Sequence, residues 1–300
     1  MHNSPASELE RGPTDLPRVP FGPTEITRLI VGGNPFCGNS HQNGEIDREM
    51  QQYFTATRVV ETLQACQAAG INTFQGRGDY HRVLHWMELF RREGGQLHWI
   101  VQTASEMHDI KQNIRIIAAA DPVGIYHHGS RTDRLYKEGK MGIVSDRLKL
   151  MRDLGVRVGL GTHMPEVIEY AEDHDWDVDF YMACLYNLSR KDRESALVSG
   201  ATDSEEDFHA KDPARMCETI RATPKQCLAF KILAAGRRCR TQDAVAEAFD
   251  FAFANIKPSD AVVVGMFPKH ADQVRLNVRH ALHACRRVPD TRSSSTPSRA

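Results

Sequence analysis

Between Gly70 and His81, an apolar run from Ile71 to Phe74 is followed at once by Gln75, Arg77, Asp79, Tyr80 and His81. Such a polar, titratable cluster directly after a buried strand suits proton transfer and substrate anchoring at the carboxyl end of a barrel strand. A solvated turn carrying a few charges is the plainer alternative. Other strand ends carry imidazoles: His41, His81, the pair His127 and His128, and His163. Neutral imidazole is the commonest transition-metal ligand. A set drawn from His41, His81, His128 and His163, or histidines with Asp79, would serve a catalytic divalent zinc or iron. No HxH or HExxH spacing supports that set, and a lone histidine is more often a hydrogen-bonding residue. Lys231 falls within the predicted strand Cys227–Leu233. A desolvated amine there would suit Schiff-base or acid–base chemistry. It could equally anchor a phosphate or carboxylate, pair with Asp79, or reach the mouth and pair with another acid. Arg237 and Arg238 follow the same strand, where barrels often bind phosphate.

These residues need a scaffold, and the chain alternates in a way that supplies one. Strands are predicted at Leu29–Gly33, Ile71–Phe74, Leu97–Thr103, Val123–His127, Val156–Gly161, Val178–Met182, Cys227–Leu233 and Ala261–Val264. Helical periodicity lies between them, as in Ala56–Ala69, where Val59, Val60, Leu63 and Cys66 share a side. Eight strand–helix units in one pass predict a parallel sheet closed into a single (β/α)8 TIM barrel over residues 25–287. Residues 1–24, with five prolines, are expected to form a flexible or extended arm. Residues 288–300 are expected to be a disordered tail, and residues 188–212 a charged loop or lid.

Composition narrows the function classes. The 300 residues are 41% hydrophobic and carry a formal net charge of −1, so no field favours nucleic acid. Seven scattered cysteines, none in a CxxC pair, read as reduced thiols. No run approaches the roughly 18 apolar residues of a membrane helix. The expectation is a cytoplasmic protein acting on a small molecule. Oligomeric state is not legible.

Several segments together resemble the aldo-keto reductase superfamily over most of residues 26–284. Gly70-Ile71-Asn72-Thr73-Phe74 looks like the family's strand-two motif, which places Tyr80 on the catalytic tyrosine and Gln75 on its aspartate. Ile125-Tyr126-His127-His128 looks like the strand that carries the catalytic histidine, with His128 in the better register. Thr103-Ala104 stands where the family has threonine-lysine. Glu138-Gly139-Lys140-Met141 resembles a structural turn. Val178 to Tyr181 through Tyr186-Asn187 is similar to the strand-six segment that ends in tyrosine-asparagine. The resemblance implies a reductase in which Tyr80 protonates the carbonyl oxygen as hydride arrives and His128 orients the substrate. It also implies an NADP(H) site. Thr162 and His163 would stand at the carboxamide, Phe230 would replace the tyrosine that stacks on the nicotinamide, Asn187 would be a further cofactor-binding residue, and Lys269, Gln273 and Asn277 would lie near the adenosine phosphate.

The departures from the pattern concern proton transfer. An unassisted phenol titrates near ~10, and a proton donor works best when tuned toward the working pH. Gln75 and Ala104 remove the family's carboxylate and lysine, and Lys231 could replace the lysine from another strand. The lead expectation is therefore an NADP(H)-dependent reductase of a small carbonyl or sugar-like substrate. Two alternatives stay open: a cofactor-independent, metal- or lysine-dependent lyase, isomerase or hydrolase, and a non-catalytic binding protein.

Overall fold

The computed structural model describes residues 15–79, 82–191 and 207–287. Tyr80, His81, the tail from 288 and most of the expected lid lie outside the described residues. The first described elements are two short antiparallel strands, β1 (Arg18–Phe21) and β2 (Thr24–Thr27). The barrel strands follow: β3 (Leu29–Gly32), β4 (Thr73–Arg77), β5 (His98–Gln102), β6 (Gly124–His127), β7 (Val158–Thr162), β8 (Phe180–Cys184), β9 (Gln226–Phe230) and β10 (Ala261–Gly265). They close in the order β10-β3-β4-β5-β6-β7-β8-β9, with neighbours parallel throughout. This is the predicted (β/α)8 barrel.

Helices α1 (Gly44–Tyr53) and α2 (Ala56–Ala68) connect β3 to β4. Then come α3 (Val83–Arg92), α4 (Ile110–Ala118), α5 (Gly129–Lys137), α6 (Met141–Asp153), α7 (Pro165–Asp173), α8 (Asp212–Ala222), α9 (Gln242–Asn255) and α10 (Gln273–Arg287). Local chemistry sets their starts. Asn43, Thr55, Asp109 and Thr241 each accept a backbone N–H in the first turn of their helix, which satisfies donors the helix cannot. Among the described residues no helix is long and apolar enough to cross a membrane.

Alternation along the strands divides the core. Ile30, Ile100, Tyr126, Phe180, Met182, Leu228 and Val263 pack inside the barrel, and Val31, Val101, Ile125 and Val264 pack toward the helices. The β1–β2 hairpin plugs the amino-terminal end. Val19, Phe21 and Ile26 join the interior cluster, and the Phe21 ring meets Phe180 edge-on at 5.0 Å. Arg157, just before β7, lies 4.7 Å from the Phe21 ring centroid. Three expectations are corrected here. Residues 18–24 belong to this hairpin rather than to a flexible arm. β4 runs to Arg77, because Gln75, Gly76 and Arg77 pair with Ile100, Val101 and Gln102 of β5; Gln75 and Arg77 therefore stand in the strand, not in the loop. Lys231 lies outside β9, whose pairing with β10 stops at Phe230, and its φ of 59° turns the chain out of the sheet.

Candidate functional site

The carboxyl ends of β3, β9 and β10 open into a cavity of about 540 Å³. Its wall includes Gln75, Phe230 and Lys231, and it extends to Gln273 and Asn277 on α10. Pockets of roughly 300–1,000 Å³ are usual for small-molecule ligands. Several predicted residues thus line one space: Gln75, Lys231, Phe230, Gln273, Asn277 and His41. Lys231 Nζ sits 5.7 Å from the Phe208 ring centroid, and the Arg237 guanidinium carbon sits 4.0 Å from the same centroid. Phe208 therefore joins the two cations that follow β9.

Inside the barrel, Gln75 Nε2 donates to Tyr126 Oη at 2.7 Å. Burial pushes the Tyr126 phenol well up, against the opposing effects of the Arg77 charge and the Gln75 bond. It remains a neutral O–H group. The buried Arg77 guanidinium is 3.5 Å from Asp79 Oδ2 and also pairs with Glu106. Asp79 Oδ1 accepts the backbone N–H groups of Arg82 and Val83 at 3.0 Å and so caps α3. Burial raises the Cys37 thiol to about 11, which leaves it un-ionised and unsuited to act as a nucleophile.

The two adjacent histidines of β6 separate. His127 faces the helices, where Arg147 Nη1 donates to its Nε2 at 3.0 Å and its Nδ1 bonds Thr132 Oγ1 at 2.8 Å. An arginine can only donate, so Nδ1 carries the proton. Burial first, then the charges of Arg147 and Arg131, lower its pKa to about 3. The unfolded ring protonates near about 6.5, so between these two values the unfolded chain binds the extra proton. Stability is then expected to fall as pH drops through that window, by at most about 1.4 kcal/mol per pH unit from this group. Urea unfolding at stepped pH should show the loss in wild type and a flatter profile in His127→Gln; parallel profiles would contradict it. His128, the residue favoured for the catalytic role, is buried at the start of α5, and its backbone N–H donates to Thr103 Oγ1 at 3.0 Å.

At the end of β7 the predicted cofactor residues are engaged by an acid. Asp133, buried on α5, accepts from the Thr162 hydroxyl, from the His163 backbone N–H at 3.1 Å, from His163 Nδ1 at 2.8 Å and from the Ser189 hydroxyl at 2.6 Å. Gly161 permits this approach: a Cβ there would lie 2.7 Å from the His127 carbonyl oxygen. The Thr162 hydroxyl also accepts the Met164 N–H at 2.9 Å. It is thus committed to the turn rather than presented to a carboxamide. Asp133 was not singled out in the sequence because it reads as one more charged helix residue. The available signal was its place on the buried face of α5, four residues after Gly129.

The remaining predicted residues have structural partners. Asn187 Oδ1 accepts the Ser189 N–H at 3.2 Å, and its own N–H donates to Asp212 at 3.0 Å. Gln273 Oε1 accepts the Phe267 N–H at 2.8 Å and fixes the loop after β10. Lys269 and His270 both reach Glu49 of α1 at 2.7 Å. Lys269, foremost, holds the Glu49 carboxyl below its ordinary range. Of the histidines considered as metal ligands, His41 Nε2 is 3.3 Å from Asn34 Nδ2, His163 Nδ1 is on Asp133, and His81 lies outside the described residues. Among the described residues no three His, Cys, Asp or Glu side chains group as metal ligands.

No protein-family model and no curated protein matches the sequence. Solved structures do. One is a Pseudomonas aeruginosa protein described as a candidate aldo-keto reductase, 19% identical, with 89% of this chain and 94% of that one covered and a TM-score of 0.57. A truncated 3-deoxy-D-arabino-heptulosonate 7-phosphate synthase from Thermotoga maritima is 12% identical, with 90% of each chain covered and a TM-score of 0.51. At these identities the likeness is one of fold, and that fold is the (β/α)8 barrel.

Proposed function

We propose that this barrel is an oxidoreductase of aldo-keto reductase type that reduces a small carbonyl or sugar-like substrate with NADP(H). The carrying observation is the single cavity that runs from Gln75, Phe230 and Lys231 to Gln273 and Asn277. Its residues fit the group. Phe230 offers an aromatic wall, Lys231 a cation, and Asn277 an amide near the start of α10. A reduced nicotinamide bound there would supply hydride to the carbonyl carbon. The chain's own part is electrostatic: an ammonium at the cavity wall favours negative charge developing on the carbonyl oxygen. Lys269 already pairs with Glu49, so a phosphate at the outer end competes with that carboxylate.

The test is incubation of the purified protein with NADPH and a panel of aldehydes, ketones and sugars. Carbonyl-dependent oxidation of NADPH with matching alcohol product is expected. NADPH left unconsumed with every carbonyl overturns the reading. Lys231 also supports a second reading, a cofactor-independent lyase or isomerase that forms a Schiff base. Borohydride trapping of substrate on Lys231 would favour that reading.

A further inference from the structure

The flank where α5 and α6 meet the end of β6 carries charge of one sign. Arg131, in the first turn of α5, and Arg147, in the middle of α6, are both partly buried. Among the described residues neither guanidinium meets a carboxylate. We propose that Arg131 and Arg147 form a binding site for a phosphate-type oxyanion, separate from the cavity beside Phe230. The site is independent of the reductase chemistry.

Buried and partly buried arginines elsewhere in the chain have partners. Arg77 meets Asp79 and Glu106, and Arg152 meets Asp177 and Asp179. Arg28 donates to the Asp260 and Lys257 carbonyls, and Arg157 lies against the Phe21 ring. Arg147 instead donates to His127 Nε2 at 3.0 Å, and that imidazole is neutral. Arg131 Nε is buried with no acceptor. A cation drawn out of water without a counter-charge is costly, and such groups are ordinarily paired. A bound anion supplies the missing charge.

His127 ties the two arginines together. Its Nε2 takes Arg147, and its Nδ1 bonds Thr132, the residue after Arg131. Thr132 in turn donates to the His128 carbonyl at 3.0 Å, so the ring and the guanidinium on it are fixed before a ligand arrives. Both arginine charges bear on this ring, and that of Arg131 bears on Arg147, with burial the larger effect in each case. Helix α5 adds to the same sign. It opens with no side-chain cap and no acid in its first turn. Asp133, on its buried face, is committed to Thr162, His163 and Ser189.

Guanidinium geometry selects the ligand. Arginine presents its N–H donors in a planar fork that matches the oxygens of a phosphate. Two such groups bring two positive charges, which suits a doubly charged phosphate better than a single carboxylate. Free phosphate and the phosphoryl group of a small metabolite share this chemistry.

The experiment is calorimetric titration of the purified protein with sodium phosphate, and separately with glucose 6-phosphate, at an ionic strength held constant with sodium chloride. It compares wild type, Arg131→Gln, Arg147→Gln, Lys269→Gln and, as a control on an exposed residue of α6, Lys149→Gln. Wild type and Lys149→Gln should bind phosphate saturably, and Arg131→Gln and Arg147→Gln should each weaken it by ~10-fold or more. Arg131 has no partner among the described residues, so Arg131→Gln should melt no lower than wild type in phosphate-free chloride. It should nevertheless lose the rise in melting temperature that phosphate gives wild type. That pair of results separates binding from a structural role even if Arg147→Gln, which leaves His127 Nε2 without its donor, fails to fold. Tighter binding of glucose 6-phosphate identifies a phosphate monoester as the ligand, and tighter binding of inorganic phosphate identifies the free ion; either order supports the site. No saturable binding in wild type, or equal affinity in Arg131→Gln, overturns the proposal. So does binding lost only in Lys269→Gln, which would place the anion at the outer end of the cavity.

Discussion

Lys231→Ala should lower kcat/KM for carbonyl reduction by ~100-fold or more while leaving the melting temperature nearly unchanged. The expected loss follows from position. Lys231 lines the cavity next to Phe230, and a fixed cation beside a developing oxyanion in a water-poor site contributes about 3–4 kcal/mol of transition-state stabilisation. The fold should tolerate the change. The residue sits after β9, not in it, and alanine faces the same left-handed backbone at φ 59° that lysine already adopts. Lys231→Arg separates the two chemistries of the amine. An electrostatic role keeps part of its rate in the arginine variant, whereas a Schiff base needs the amine and loses all of it. A Lys231→Ala enzyme of wild-type rate would remove the residue from the site.

Asp133→Ala is the largest stability effect expected, about 3–5 kcal/mol by urea unfolding. Removing the carboxylate leaves the Thr162 and Ser189 hydroxyls and two His163 N–H groups without their acceptor. A buried polar group left unmade costs about 1–3 kcal/mol, and partial rearrangement keeps the sum below four such penalties. Asp133→Asn retains one carbonyl oxygen and should lose less. A loss under about 1 kcal/mol in Asp133→Ala would show that water or another acceptor replaces the carboxylate.

The barrel was legible because its punctuation is chemical. Gly70, Gly94, Gly139 and Gly155 all have φ between 67° and 92°, where a side chain would be strained; Gly70, Gly94 and Gly155 each end a helix before the next strand, and Gly139 separates α5 from α6. The hairpin was hidden by its prolines: Pro17 and Pro20 read as an extended arm, although Val19 and Phe21 alternate with exposed neighbours as an edge strand allows. Helix α1 was missed because Ile46 and Met50 are its main apolar contacts. Pairing, not propensity, extended β4 through Gln75 and Arg77.

The candidate site was legible only in part, and for similar reasons. Strand ends identify Gln75, Phe230, Lys231 and His163, because every barrel strand delivers its last residues to one mouth. The partner of His163 was not legible, since Asp133 reaches it from α5 across 30 positions in sequence. The outward turn of His127 and the commitment of Thr162 to Asp133 likewise depend on tertiary contacts.

The central claim is that the cavity beside Phe230 and Lys231 holds a nicotinamide cofactor. Its most direct test is titration of the purified protein with NADPH, followed by the cofactor's fluorescence, in wild type and in Phe230→Ala. The account predicts saturable binding in wild type, weakened when the aromatic wall is removed. No saturable binding in wild type, or binding of equal strength in Phe230→Ala, would contradict it.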